Sequence, residues 1–582
     1  MKTLPSIIAR FDQRPSELIA IQFKRDRQWI KWSWGEYFAN IESCFYLLQE
    51  SGLKSGDKVA IFSTNSIEWV LVDLAAQCLG VVTVPIYPNC SDEDLQLILS
   101  KTSPQLIFIG DESLKLRLGK DWSSRCIDFS PSGPSVTGNS ERAVSLSFWD
   151  QMNFVSKKGF ENFPLDFKSQ CSKISIDQLA TLVFTSGTSG KPKGIGLTQR
   201  QIMSELKDIS LAFPITSQDL TLSFLPYAHI LGRVEMWLSS YCGFTLAICS
   251  RIEKIQKDLV DTSPTVLIAV PRIFEKIYTS VISKLKSSSL NRVIEHFETR
   301  GFLGSLSMAP ARLLLQKKVK QGLQEALGGR LKYAISGGAP LAKEVALFFK
   351  DCDVLLLEGY GLTETTGAIS VNTPELHHFG TVGKPLHDVK IKLAEDGEIL
   401  VKSEKVFAMT LDGEEDRSKD EKGYFRTGDI GEWTPDGFLR ITDRKKDLIK
   451  TSGGKYVAPQ RIENLFKKHP LISHVLVHGD QKKFIVALIT LEPEELKSWA
   501  LSEKIPFSKV SDLAHASKTI HQVEEILREI NGELASFESI KKFQILDHDF
   551  TVENGELTPS LKLRRKFCEQ KYKDQLESLY GI

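Results

Sequence analysis

Short apolar runs alternating with helical segments constrain this chain more than any other feature. Residues 58–63, "KVAIFS", read as a buried strand, Glu68 to Leu79 as a helix, and "VVTVPIY" (81–87) as the next strand. "PQLIFIGD" (104–111) and "TLVF" (181–184) are further short runs stopped by turn residues. Strands that alternate with helices predict parallel, doubly wound α/β layers. The stretch "WVLVDLAAQCLGVVTVPIYP" (69–88) is interrupted by Asp73 and Gln77 and broken by Pro85. A buried helix followed by a buried strand fits it better than a membrane span.

The last 130 or so residues read differently. "YVAPQRIENLFKKHP" places Pro459 near a helix start, Ile462, Leu465 and Phe466 on one face, and Pro470 as the stop. "SHVLVHG" and "KKFIVALITL" follow as strands, "HQVEEILREINGEL" as an amphipathic helix, and "IKKFQIL" as a last strand. The mixture predicts a small α+β domain, with the boundary near the basic stretch "ITDRKKDLIK". At 582 residues the chain is too long for one core. The expected fold is α/β: a large N-terminal domain of layered α/β subdomains over 1–445, and a small mobile α+β domain over 446–582.

Composition excludes several function classes. A formal net charge of +1 carries no mark of a nucleic-acid binder. The nine cysteines include no CxxC pair, against a zinc site or disulfide framework and in keeping with a reducing cytosol. The N-terminal residues lack an apolar run long enough for a signal peptide. A cytoplasmic protein is expected; a peripheral contact with the inner membrane surface stays open, and oligomeric state is not set.

The stretch "TLVFTSGTSGKPKGIGLT" (181–198) ends an apolar run in small residues, hydroxyls and lysines. Such a loop lets backbone N–H groups converge on an anion, with hydroxyls and lysines as added donors, so phosphate is the natural guest. It is not a P-loop: Gly187 and Gly190 are too close together, and Pro192 stands where a hydroxyl should hold Mg²⁺.

Residues 185–194 resemble the phosphate-binding loop of the adenylate-forming superfamily, which includes acyl-CoA synthetases, luciferases and peptide-synthetase adenylation domains. "EGYGLTETTG" (358–367), "GYFRTGDIG" (423–431), "DRKKDLIKTSGGKYVAPQRIE" (443–463) and "LTPSLKLRR" (557–565) resemble its other motifs, in the family's order. Several segments, "SFLPYAHILGR" and "VPRIFEKIY" among them, look most like the long-chain fatty acyl-CoA synthetase branch.

The resemblance implies roles residue by residue. Thr185, Ser186, Gly187, Thr188, Ser189, Gly190 and Lys193 would line the ATP phosphates. Glu364 would hold Mg²⁺ and Thr363 would donate to the α-phosphate. Tyr360 and Gly361 would meet adenine beside Gly338 and Ala339, although Tyr360 also reads as a buried structural tyrosine. Asp429 would accept from the ribose hydroxyls, with Arg444 as an added donor, and His229 would border the carboxylate site. Lys562 would bridge the substrate carboxylate and the α-phosphate; by itself "KLRRK" reads as a solvated basic tail or a contact with anionic membrane. Lys446 falls at the hinge, and Ser452, Gly453 and Gly454 would let CoA pass after the small domain rotates.

The expected reaction joins a long-chain fatty acid to CoA through an acyl-adenylate, with ATP and Mg²⁺, releasing AMP and pyrophosphate. Left open are a medium-chain or aryl acid, an acyl carrier protein as acceptor, and a nucleotide or acyl sensor that lost turnover. "SFWD" (147–150), "FFKDCDVLLLEGYG" (348–361) and residues 234–249 are candidate linings for an acyl tunnel. Residues 298–330 have apolar and basic residues at helical spacing, read as a surface helix packed on its own domain or one resting on a membrane.

Overall fold

The computed structural model describes residues 2–129, 147–186, 192–249, 251–286, 309–411, 419–466, 468–558 and 562–581. The predicted alternation is present. Lys58–Phe62 pairs in parallel with Val82–Ile86 and Leu106–Ile109, and Leu106–Ile109 with Cys126–Asp128. Val82–Ile86 runs parallel to Leu179–Ser186, from which Pro192–Thr198 and Met409–Thr410 extend a seven-stranded sheet antiparallel. A second sheet has nine strands. Its parallel centre runs Leu355–Leu362, Tyr333–Ser336, Val266–Ala269, Leu220–Ser223, Thr245–Ile248, Ile19–Arg25.

The apolar stretch at 69–88 is a helix and a strand, as expected. Helix Ile67–Leu79 buries every residue except Glu68 and ends at Gly80 in the left-handed region. Asp73 and Gln77, which looked like interruptions, serve this burial. Asp73 is ion-paired with the fully buried Arg233 and accepts from Thr83, Gln77 and Trp237 at 2.9–3.0 Å. Arg233 also donates to Thr181 Oγ1 at 2.8 Å. A buried charge survives only when paired and hydrogen-bonded, and here one network ties two helices to two strands of the seven-stranded sheet.

A four-stranded antiparallel sheet was not foreseen: Lys390–Leu393, Glu398–Lys402, Phe425–Trp433 and Leu439–Arg444. The Asp-Gly pairs at 396–397 and 436–437, with Gly397 and Gly437 at positive φ, turn two of its hairpins.

The smaller C-terminal domain is α+β, with strands Ile472–His478, Ile485–Leu491 and Ile540–Ile545 in one sheet. Alternation gives it two cores. Val475, Val477, Ala487 and Ile489 pack with helices Pro459–Phe466 and Ser517–Gly532 on one face. Leu476, Val486 and Leu488 pack with Phe550, Leu557, Cys568 and Tyr572 on the other. The helix Pro459–Phe466 stops short of Pro470. Helix Ala309–Ala326 buries Val319 and Leu323, so that part of residues 298–330 packs on its own domain. Among the described residues no helix is long and apolar enough to cross a membrane.

Candidate active site

A cavity of about 2100 Å³ opens where the C-terminal ends of the nine-stranded sheet meet the four-stranded sheet and the small domain. Thr185, Lys193, His229, Gly338, Ala339, Tyr360, Gly361, Thr363, Glu364, Asp429, Arg444, Lys446 and Lys562 all line it. Thr185 and Lys193 face each other across the hairpin of strands Leu179–Ser186 and Pro192–Thr198. Ser186 closes the first of these strands, whereas Gly187, Thr188, Ser189 and Gly190 lie outside the described residues.

Strand Leu355–Leu362 delivers Tyr360 and Gly361, and a single 3-10 turn, Thr363–Thr365, follows with Thr363 and Glu364. Gly361 sits at a register shift against strand Gly367–Val371, where a Cβ would lie 1.8 Å from the carbonyl oxygen of Gly367. Only glycine permits that approach, which keeps the backbone flat beside the cavity.

Asp429 and Arg444 are cross-strand partners in the four-stranded sheet. Tyr360 donates to Asp429 Oδ2 at 2.6 Å, and Arg444 Nε stands 3.2 Å from Oδ1. The tyrosine therefore acts as a buried structural contact as well as a cavity wall. Burial raises the Asp429 carboxyl, opposed by Arg444, Tyr360 and Lys562. Glu364 is raised by burial too, against the pull of Arg444 and Lys193.

His229 caps helix Ile230–Cys242: its Nδ1 accepts from the Leu231 N–H at 3.2 Å, leaving the proton on Nε2. Burial, and then the Lys562 ammonium, push it down to about 3, so the ring is neutral. The Lys562 ammonium is itself held down at about 8, by burial first and by Arg444 next, while Asp429 and Glu364 favour its charge. One lysine of the small domain thus stands electrostatically among four residues of the large one.

The loop bearing Lys562 is fixed at its base. The Thr558 N–H donates to the Lys562 carbonyl at 2.7 Å, and the Lys562 N–H to Thr558 Oγ1 at 3.0 Å. Arg565 forms two bonds to Glu463, at 2.7 and 2.8 Å, and a third to the Val477 carbonyl at 2.8 Å. "KLRRK" is therefore not a freely solvated tail: Arg565 is one of its structural anchors.

Other expectations fall elsewhere. Ser452, Gly453 and Gly454 are exposed on the turn between Ile449–Lys450 and Tyr456–Val457, and they do not line the cavity. "SFWD" does not line it either, because Phe148 is buried in an aromatic cluster with Phe108 and Phe129. Of residues 234–249, Val234, Glu235 and Leu238 reach the wall; of 348–361, residues 358–361 do.

Several lining carboxyls went unnoticed in the sequence: besides Glu235, held up at about 7 by burial, Glu358 and Asp443 stand out. Glu358 is pushed up to about 8 by burial and has one oxygen without a partner. Asp443 is pushed up to about 7, also by burial, with one oxygen likewise unpartnered. Both stand inside quoted motifs, next to residues that were singled out, but only burial marks them. A wall of small residues beside a flat tyrosine, with buried carboxyls and several cations around one cavity, can hold a nucleotide and neutralise a reacting anion.

Comparison with known proteins agrees with this geometry. Residues 8–409 match the family model described as AMP-binding enzyme, and residues 446–581 match that of the AMP-binding enzyme C-terminal domain. The chain is 34% identical to the long-chain-fatty-acid–CoA ligase FadD15 of Mycobacterium bovis, over 91% of this chain and 89% of that one. It is 30% identical to the peroxisomal long chain acyl-CoA synthetase 6 of Arabidopsis thaliana, over 92% of this chain and 79% of the relative. The adenylation domain of a carboxylate reductase from Mycobacterium chelonae shares the fold, with a TM-score of 0.76 at 22% identity, covering 100% of this chain and 91% of that one. A family model that accounts for most of the large domain, with its companion over the small one, makes the chain a member of the AMP-binding enzyme family.

Proposed function

We propose that the protein is a long-chain fatty acid–CoA ligase that activates the carboxylate with ATP and then transfers the acyl group to CoA. The observation that carries this reading is the meeting of Lys562, Asp429, Arg444, Glu364 and His229 around one cavity.

A carboxylate is a poor electrophile, and joining it to AMP supplies pyrophosphate as leaving group. The carboxylate oxygen attacks the α-phosphorus, the bond to the β-phosphate oxygen breaks, and both anions must be offset as they approach. Lys562 is suited to that work, since its ammonium is poorly solvated and carries weight against anions. Asp429 offers carboxylate oxygens to the ribose, and Arg444 steadies it. The small residues Gly338 and Ala339 leave room for adenine next to Tyr360. Glu364, with Thr363 beside it, is the carboxylate suited to Mg²⁺, which would offset phosphate charge when bound. Neutral His229 borders the carboxylate without adding charge. Val234 and Leu238, together with Ile209 and Phe213, give the same cavity an apolar side for an acyl chain.

In the second step the small domain turns about Lys446, withdrawing Lys562 and bringing the turn with Ser452, Gly453 and Gly454 to the cavity. The CoA thiolate then attacks the acyl carbon and AMP leaves.

The test is pyrophosphate release with ATP, Mg²⁺ and acids of graded length, with and without CoA, beside Lys562→Ala. Release peaking on long chains, with acyl-CoA formed and both lost in the variant, is expected. Release without acyl-CoA would replace CoA by another acceptor, and no release with any acid would sink the ligase reading.

A further inference from the structure

The two domains meet without a shared apolar core. Among the described residues, the clusters that fill the large domain end at Ile441, and those of the small domain begin at Ile449. What fixes one domain on the other is therefore polar.

We propose that Arg272 is a positioning residue that clasps the small domain in the orientation that puts Lys562 in the cavity. It stands at the start of helix Pro271–Lys286, directly after the strand Val266–Ala269. Val270, two residues before it, lies against the Gly338 wall of the cavity. Its guanidinium reaches three groups of the small domain. Nη1 donates to His474 Nε2 at 3.1 Å, and Nη2 to Ser473 Oγ and Glu492 Oε2, each at 3.3 Å.

A guanidinium cannot accept, so His474 Nε2 must be the acceptor, and its proton sits on Nδ1. That nitrogen donates to Asp549 Oδ1 at 2.9 Å, while Ser473 Oγ donates to Asp549 Oδ2 at 2.6 Å. Asp549 also accepts from Thr490 Oγ1 at 2.6 Å and from the Phe550 N–H at 2.8 Å. The chain then runs straight into the catalytic loop. The Thr551 N–H donates to Glu556 Oε2 at 2.8 Å, and the Leu557 N–H to the Thr551 carbonyl at 3.1 Å. Phe550 and Leu557 share one apolar cluster. Thr558 and Lys562 close the loop, so the route from Arg272 to Lys562 is continuous.

These contacts cross the domain boundary, and a rotation about the hinge must break them. Arg272 therefore favours the adenylating orientation over the thioester-forming one, without touching a substrate. The inference rests on the two-step reading above.

Two half-reactions on the full-length protein test it: fatty-acid-dependent ATP–pyrophosphate exchange, and conversion of supplied acyl-adenylate and CoA to acyl-CoA. Arg272→Ala is expected to lower exchange by about tenfold or more, as loss of hydrogen bonds to a charged group would. The second half-reaction stays at the wild-type rate or rises. Arg272→Lys restores part of the exchange through Glu492, and Glu492→Gln adds little to Arg272→Ala. Equal losses in both half-reactions, or no loss in exchange, would overturn the clasp. Tryptic cleavage between Arg444 and Lys450 gives a readout free of turnover. It should quicken severalfold in Arg272→Ala at unchanged thermal midpoint, and an unchanged cleavage rate overturns the clasp. If wild-type protein performs neither half-reaction, the ligase reading falls and the clasp is judged on cleavage alone.

Discussion

Lys562 offers the sharpest quantitative expectation. Its ammonium is held at about 8, against 10.5 for an ordinary lysine, because burial and Arg444 oppose the charge. The charged form is the one that can neutralise the reacting carboxylate and phosphate. Activity limited by this group is therefore full below about pH 7 and falls as pH rises through 8. From pH 7 to pH 10 the charged fraction drops from about nine-tenths to about one-hundredth, a loss of roughly a hundredfold. An unshifted lysine would lose less than about twofold over the same range.

The assay is kcat/KM for ATP in pyrophosphate exchange, since that ratio reports ionisations of the free enzyme. The kcat profile should break at higher pH, because bound phosphates stabilise the ammonium. Lys562→Arg cannot titrate in this range, so whatever activity it keeps should lack the alkaline limb. Glu358 is the rival group, since it too is held near 8. Glu358→Gln should keep the limb if Lys562 causes it. A profile flat to pH 10, or a limb that survives Lys562→Arg and vanishes with Glu358→Gln, would refute the reasoning.

Asp429→Ala removes the acceptor that Tyr360 and Arg444 hold in place, and should raise KM for ATP by about tenfold to a hundredfold, read in the same exchange assay. Arg565→Ala leaves Glu463 without its two guanidinium bonds, and should cost the small domain about 3 kcal/mol in denaturant unfolding. Arg233→Met strands Asp73 in the core, and should destabilise the large domain by about 3–5 kcal/mol; an unchanged unfolding midpoint would refute the buried network's role.

Much of the cavity was legible because its residues come in tight local runs. Tyr360, Gly361, Thr363 and Glu364 lie within five consecutive positions, on one strand end and the turn after it. The period of apolar residues likewise gave the parallel strands around Val82–Ile86, where both faces are buried. The four-stranded sheet escaped because strands such as Lys390–Leu393 and Phe425–Trp433 mix charged, partly exposed residues with apolar ones, leaving little apolar signal. The long-range ion pairs escaped for another reason. Asp73 and Arg233 are 160 residues apart, Glu463 and Arg565 are 102 apart, and Arg272 and Glu492 are 220 apart. In a single sequence each is an ordinary charge, and nothing local says where its partner lies.

That division follows from what the two kinds of residue have to do. Residues that meet a nucleotide are packed into short motifs, because one turn or strand end must present several groups to one ligand. Residues that set one element against another must come from distant parts of the chain. Arg233 illustrates the second kind: it lies one helical turn beyond the His229 cap and bonds Thr181, on the strand that leads to Thr185. It can set the distance between the hairpin that carries Thr185 and Lys193 and the helix that His229 caps, without itself lining the cavity. Inside the large domain such a pair is fully buried and rigid. Across the domain boundary Arg272 and Glu492 keep about a quarter to a third of their side-chain surface, 30% and 26%. A half-wet pair costs less to break than a buried one, because water replaces the lost partner. A domain that must hold its lysine in place for one step and withdraw it for the next needs that kind of contact at its boundary, and the buried kind within each of its halves.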